Sequence, residues 1–359
     1  MSARHRAEFW LSGAGKRHGR RLEKLLTTES DTLAIVAMNV DAVNTKGGHD
    51  YALRFLRLFR TMLIVDESQR IKNPAAKRTK KVLGMGELAR SRRIASGTLV
   101  ANSPLDLFSQ YEFLSSGLLG TTSFRAFTAE YAELLPANSP LLQNIKAKGR
   151  RGTPQIVKRD KNGAPVFRNF DKLQRLIAPH TFRVFKKDCF DLPEKIYQTH
   201  YFDLTPAQRR VYQGVKEEMR WEREDGAIDT FTALTLINKL RQVTSGFILV
   251  DGEAAQLREA GPRLAALKDL MEDVPGQVIV WASFREELRQ IARELHSYGV
   301  VSYHGGTPAA EREEAIEAFQ SGRARVFVGN PAAAGTGLTL TAATTAIYYS
   351  CSFSLEERS

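Results

Sequence analysis

Asp66 and Glu67 follow the apolar run Leu63-Ile64-Val65 without a gap. Such a run has the sequence of a buried strand, and open parallel sheets bind their ligands just past the carboxyl ends of strands. Two carboxylates at that rim suit a division of labour. One can hold a Mg²⁺ that bridges phosphate oxygens, and the other can orient or deprotonate an attacking water. Taken alone, an acidic pair after an apolar run is more often the start of a solvent-facing loop. Phosphate chemistry would also need a cradle of pattern G-x-x-x-x-G-K-[ST]. The sole Gly-Lys pair is Gly15-Lys16, with Arg17 where the hydroxyl residue belongs and Trp10 where the first glycine belongs. "SGAGKR" is therefore read as a turn leading into the helix "HGRRLEKLL".

The elements that must carry these residues alternate along the chain. Short apolar runs at 8–11, 32–38, 61–66 and 92–98 read as strands, with helical patterns such as 51–59 and 74–83 between them. Strands of this kind spaced by helices imply a parallel sheet covered on both faces. The design recurs in the second half. "GQVIVWASF" (276–284), "VVSYHG" (300–305), "ARVFVGN" (324–330) and "TTAIYYS" (344–350) are strands, and 285–299 and 308–322 are amphipathic helices. The fold class expected is α/β, with two parallel-sheet lobes. The first lobe is assigned to 1–135 and the second to 261–359. Residues 136–260 are assigned to a basic, turn-rich insertion, a helical subdomain and the connection between lobes. "KNG" at 161–163 marks a turn inside that insertion.

Composition narrows the partner. A hydrophobic content of 43% and a charged content of 26% describe a globular chain with real cores. The net charge of +12 and a pI near 9.7 favour a polyanion, since each neutralised phosphate releases counterions. The two cysteines, Cys189 and Cys351, match no metal-ligand spacing and point to a reducing compartment. No apolar run is long enough to span a bilayer, so no membrane role is expected. Patterns for zinc hydrolases and serine hydrolases are missing from the sequence.

"DESQRIKN" (66–73) resembles the acidic box of the Swi/Snf group of superfamily-two helicase-like ATPases, with Ser68 and Gln69 in place of the usual Ala and His. Further segments of that family follow in order. "RRIASGTLVANSPLDLFSQYEFL" (92–114) looks like the segment that couples nucleotide state to DNA contact, with Ser96, Gly97, Thr98 and Asn102 at its motif positions and Val100 a departure. "LIAPHTFRVFKKDCFDLPEKIY" (176–197) matches the connection through Arg183, Lys186, Lys187, Leu192, Pro193 and Lys195. "VIVWASFREELRQIARELHSYG" places Trp281, Ser283 and Phe284. "YHGGTPAAEREEAIEAF" and "NPAAAGTGLTLTAATTAIYYS" complete the series. Six weak segments in the right order make a specific signal.

The resemblance implies two RecA-like lobes that bind ATP between them, with Mg²⁺ held at Asp66 through water and Glu67 activating the attacking water. It implies that Gln69, Ser96, Gly97 and Thr98 couple the nucleotide to movement, together with the small-residue turn Gly335-Thr336-Gly337. It also implies contacts to the backbone of double-stranded DNA from Asn102, Arg183, Lys186, Lys187, Ser283, Phe284, His304 and Thr336. His304 and the Gly335–Gly337 turn also have plainer structural readings, as a strand end and a tight turn. The family's phosphate loop and its last motif, "Q-x-x-x-R-x-x-R", have no counterpart in the sequence, so the chain reads as part of a longer bacterial or phage translocase acting in the cytoplasm. The alternative is a nucleic-acid clamp that does not hydrolyse ATP.

Overall fold

The computed structural model describes residues 5–11, 13, 15–27, 32–100, 102–139, 142–143, 155–189, 191, 194–224, 230–250, 253–257, 261–334 and 338–351. The chain divides into two compact units, Met1–Leu192 and Pro193–Ser359. Both are α/β with parallel strands, as the alternation of elements requires. No helix among the described residues is long and apolar enough to cross a membrane.

In the first unit, β1 (His5–Trp10), α1 (Lys16–Thr27) and β2 (Leu33–Met38) form one parallel crossover. After α2 (Lys46–Leu58), a second crossover joins β3 (Met62–Val65), α3 (Lys77–Leu88) and β4 (Ser91–Ile94). The period-2 pattern sends Trp10, Ala34, Val36 and Met38 against Leu22, Leu25, Leu26, Tyr51 and Phe55 of α1 and α2. Leu63, Val65 and Ile94 pack with Ala52 and Leu56 of α2, Val82 and Met85 of α3, and Phe113.

The opposite face departs from the expected two-sided cover. Phe9 is 64% exposed, Leu33 59%, Met62 54% and Ile64 57%. The helices α1 to α4 (Leu107–Leu114) supply their apolar stripes to one face, and nothing among the described residues covers the other. The strands also form two separate pairs in place of one continuous sheet.

α2 begins on a tight turn. Thr45 Oγ1 accepts from the Gly48 amide at 3.1 Å, and a Cβ at Gly48 would lie 2.4 Å from the Ala42 carbonyl oxygen. Because the obstacle is backbone, Gly48→Ala is expected to destabilise the unit by about 1–3 kcal/mol, read from its denaturation midpoint.

Residues assigned to the insertion fold back on the first unit. The Glu133 amide donates to the Val166 carbonyl, and the Lys158 amide to the Glu133 carbonyl, beside α5 (Phe124–Tyr131). The 161–163 turn is present: Asp160 Oδ1 accepts from the amides of Asn162 and Ala164, and Gly163 has φ +82°. α6 (Phe170–Ile177) packs Leu173 with Phe108 and Phe127.

The second unit opens with helices α7 (Pro206–Glu224) and α8 (Thr230–Thr244), then an antiparallel hairpin of β5 (Phe247–Val250) and β6 (Glu253–Gln256). α9 (Pro262–Asp273) leads into a parallel sheet ordered β10-β7-β9-β8. Its members are β7 (Gln277–Trp281), β8 (Val300–Tyr303), β9 (Val326–Gly329) and β10 (Ala343–Tyr348), with crossovers α10 (Arg285–Glu294) and α11 (Ala309–Gln320). This sheet is covered on both sides. Val326 and Val328 face the α9 and α10 cluster, whereas Phe327 packs with Phe319 of α11 and Tyr303.

Candidate functional site

Val65 ends β3 buried, and the chain turns outward at once. Asp66 is exposed at the carboxyl end of the strand, where its Oδ1 accepts from the Glu67 amide at 2.9 Å. Glu67 adopts the left-handed conformation, φ 48° and ψ 53°, which costs a non-glycine residue about 1 kcal/mol or more. The 3-10 turn Ser68–Ile71 follows that kink, with Ser68 and Gln69 buried.

Burial forces those polar groups to find partners. Gln69 Nε2 donates to Glu67 Oε2 at 2.8 Å, and Ser96 Oγ donates to Gln69 Oε1 at 2.6 Å. Ser96 Oγ accepts from the Thr98 amide at 3.0 Å. A continuous line of hydrogen bonds thus runs from the second carboxylate to the Ser96-Gly97-Thr98 turn. Gln69 can serve as donor and acceptor at once without charge, which this position uses in full. Backbone bonds brace the same junction: Ala95 N donates to Val65 O at 2.9 Å, and Ser68 N to Ala95 O at 3.0 Å.

Gln110 is a member that the motif positions do not reveal. Fully buried on α4, it accepts from Ser68 Oγ at 2.6 Å through Oε1 and donates through Nε2 to Leu99 O at 2.7 Å and Asp106 O at 2.9 Å. Asn102 is exposed, and its backbone N–H donates to Asp106 Oδ2 at 2.8 Å. Arg183 lies apart on an exposed stretch with its guanidinium 4.3 Å from the Phe185 ring centroid, and Lys186 and Lys187 open the one-turn helix Lys186–Cys189.

The carboxylate set suits a hard, oxygen-seeking cation held largely through water and phosphate, because Asp66 offers one exposed carboxylate. No group of three or more His, Cys, Asp or Glu residues gathers among the described residues, so a dedicated metal cage is not built there.

In the second unit, Ser283 and Phe284 form the turn between β7 and α10. The Ser283 amide donates to Glu287 Oε2 and Ser350 Oγ, its hydroxyl accepts from Arg241, and its carbonyl accepts from Asn330 Nδ2 at 2.8 Å. Phe284 stands edge-on to Phe247 at 5.8 Å under the Arg241 guanidinium. Beside it a cavity of about 340 Å³ is lined by Phe247, Leu249, Phe284, Arg285 and Arg289, among others. His304 follows β8, and its Nδ1 accepts from the Gly306 amide at 3.1 Å. Gly335, Thr336 and Gly337 lie outside the described residues. Fully buried Glu287 and the half-buried Arg263, whose Nη1 lies 3.7 Å from Glu287 Oε1, also carried no sequence signal, since a charged residue on a helix pattern reads as a solvated face.

Comparison with known proteins gives matches along most of the chain. The family model described as "SNF2-related domain" matches residues 31–246, and "Helicase conserved C-terminal domain" matches 262–359. "TATA-binding protein-associated factor mot1" of Aspergillus fumigatus is 25% identical over 333 residues, covering 79% of this chain and 17% of that protein. "DNA annealing helicase and endonuclease ZRANB3" of Mus musculus is 27% identical, covering 90% of this chain and 26% of that one. "Putative ATP-dependent helicase/translocase YwqA" of Bacillus subtilis is 24% identical, covering 89% and 33%. The chain therefore spans at most about a third of the length of these relatives. Among solved structures, the "Sulfolobus solfataricus SWI2/SNF2 ATPase core in complex with dsDNA" is 22% identical over 97% of this chain and 66% of that one, with a TM-score of 0.38. With the SNF2-related domain matched over more than half of its residues, the chain belongs to the SNF2-related family of helicase-like ATPases.

Proposed function

We propose that this chain is the core of an ATP-driven translocase that tracks the backbone of double-stranded DNA, and that its phosphate loop and arginine finger come from polypeptide outside these 359 residues. The observation that carries the reading is the hydrogen-bond line Glu67–Gln69–Ser96–Thr98. A carboxylate that must orient water is tied by it to a turn that can shift, so a change at one end is felt at the other. Mg²⁺, when bound at Asp66, supplies charge neutralisation between phosphate oxygens. Glu67 orients the water, and Gln69 holds the Glu67 carboxylate in place through Oε2.

The uncovered apolar face of the first unit supports an additional segment. Parallel strands are stable when helices cover both sides, and Phe9, Leu33, Ile35, Met62 and Ile64 await such a cover. The names of the relatives, a helicase/translocase and an annealing helicase, are consistent with movement on DNA. The second reading is a clamp that binds DNA without hydrolysing ATP.

The chain as given is expected to bind a 25-base-pair duplex with an affinity that falls steeply between about 50 and 200 mM salt, and to turn over ATP negligibly. Robust DNA-stimulated hydrolysis that disappears in Glu67→Gln would overturn the claim that a phosphate loop is missing. Binding that ignores salt would sink DNA tracking altogether. In-frame coding sequence for G-x-G-K-T upstream of Met1 favours the translocase over the clamp.

A further inference from the structure

The antiparallel pair β5–β6 sets Phe247 opposite Gln256 and Leu249 opposite Ala254, so these four residues share one face of the hairpin. That face meets the start of α10. Gln256 Nε2 donates to Glu286 Oε1 at 2.7 Å, and Gln256 Oε1 accepts from Gln290 Nε2 at 2.8 Å. Buried Gln242 of α8 accepts from the Leu249 amide through Oε1 at 2.9 Å. The hairpin is thus pinned at Leu249 and at Gln256, beside the cavity of about 340 Å³.

Two kinds of surface line that cavity. Phe247 and Phe284, edge-on at 5.8 Å, give apolar walls together with Leu249 and Ala254. Arg285 and Arg289, one helical turn apart and both exposed, bring positive charge to the same opening. Glu286, the carboxylate of the lining, is already engaged by Gln256 and by Arg289 at 3.2 Å. Arg285 has no hydrogen bond or ion pair among the described residues. Two guanidinium groups against one carboxylate leave the opening positive. The backbone amides of the Ser283-Phe284 turn offer a ligand nothing, since both donate to Glu287 Oε2, at 3.1 and 3.0 Å. What remains for a ligand is an apolar recess and guanidinium charge, and an apolar group carried beside an anion matches both. Leu249 is still 41% exposed. A small molecule sunk in the cavity would leave it in water, whereas a polypeptide laid across the hairpin covers it.

We propose that this cavity docks an acidic segment of a partner protein, whose aromatic or branched apolar side chain enters between Phe247, Leu249 and Phe284 while a neighbouring carboxylate pairs with Arg285 and Arg289. Docking of this kind is independent of DNA tracking, because it uses neither the acidic turn of the first unit nor a duplex.

A displayed library of random dodecapeptides, selected on the full chain and counter-selected on Ala254→Phe, tests it. The substitution fills the recess from the strand side. Sequences that place Asp or Glu beside Phe, Trp, Leu or Ile are expected to be enriched. The most enriched sequence, made as a fluorescein-labelled peptide, should lose about tenfold or more in affinity on Ala254→Phe. Arg285→Glu and Arg289→Glu should each weaken it several-fold, most strongly at low salt, where charges at a rim act. Melting temperatures near that of the unsubstituted chain separate lost docking from lost fold. Leu249→Ala, which removes apolar wall without filling space, should weaken the peptide as well and serves where Ala254→Phe does not fold. Enrichment of no sequence, or of basic sequences, overturns the docking site. So does a peptide whose affinity ignores both Ala254→Phe and Leu249→Ala. A 25-base-pair duplex that displaces the peptide and itself binds several-fold more weakly to Ala254→Phe would make the recess part of a nucleic-acid face and overturn the protein partner.

Discussion

Phe327→Ala is expected to remove about 3–5 kcal/mol from the stability of the second unit, the usual range for emptying a buried phenylalanine site. Phe327 is fully buried at the centre of β9, with ring centroids of Phe319 at 5.5 Å, Tyr303 at 5.7 Å and Trp281 at 6.1 Å. These neighbours leave little freedom to collapse into the space. Gly329, two residues on, already lies so close to Trp281 that a Cβ there would sit 2.6 Å from the indole. The cavity should therefore persist, which puts the cost near the upper part of the range. A typical domain holds only about 5–15 kcal/mol in total, so a large share would go at one position. Hydrogen exchange resolved by segment is the suitable measurement, because the two units need not unfold together. Amides of β7 and β9 should lose protection while those of α2 and β3 keep theirs. Phe327→Leu should cost much less, since it keeps most of the volume. A loss below about 1 kcal/mol for the alanine variant would show that the aromatic cluster is not the core of this unit.

The strand-and-helix alternation was legible because each strand is an apolar run and each helix a periodic one. β7, α10, β8, α11 and β9 fall within the segments read for them, β10 starts one residue before its segment, and the turn at 161–163 is where Asn162-Gly163 places it. Two properties were not legible. Sheet continuity depends on edge pairing, which leaves no mark on a strand's own residues, so the split of the first unit into two parallel pairs could not be read. The helix-free face of those pairs was hidden for the same reason, since Phe9 and Ile64 look like core residues in any sequence. At the site, the proximity of Glu67, Gln69, Ser96 and Thr98 follows the motif order, but the buried groups that hold the turns do not. Gln110 sits in a helix whose other residues are mostly apolar, and Glu287 follows Arg285 and Glu286 in what reads as a charged helix start. Only tertiary packing shows that both are interior.

Gln110→Leu is the sharpest probe of the first unit's site, with an expected loss of about 2–5 kcal/mol. Leucine has nearly the same volume, so the cost is polar in origin rather than steric. Three groups lose their partner: the buried Ser68 hydroxyl, and the Leu99 and Asp106 carbonyls that Nε2 reaches at 2.7 and 2.9 Å. Each buried group left unsatisfied costs about 1–3 kcal/mol, less where another bond or water remains available. Ser68 stands where the resembling family usually has alanine, and its hydroxyl explains why a glutamine is needed opposite. Ser68→Ala alone should also destabilise, because it strands Gln110 Oε1. Combining Ser68→Ala with Gln110→Leu removes both partners of the 2.6 Å bond, and should cost less than the sum of the single substitutions by about 1 kcal/mol or more. The same bond anchors the segment after Thr98, since Leu99 O is held by the other end of Gln110. Exchange of the Thr98 amide, which donates to Ser96 Oγ, should therefore quicken in Gln110→Leu at temperatures where the rest of the unit stays folded. Strict additivity of the two substitutions, together with an unchanged Thr98 amide, would mean that the acidic turn and the Ser96–Thr98 turn are held independently, and the hydrogen-bond line between them would lose its mechanical meaning.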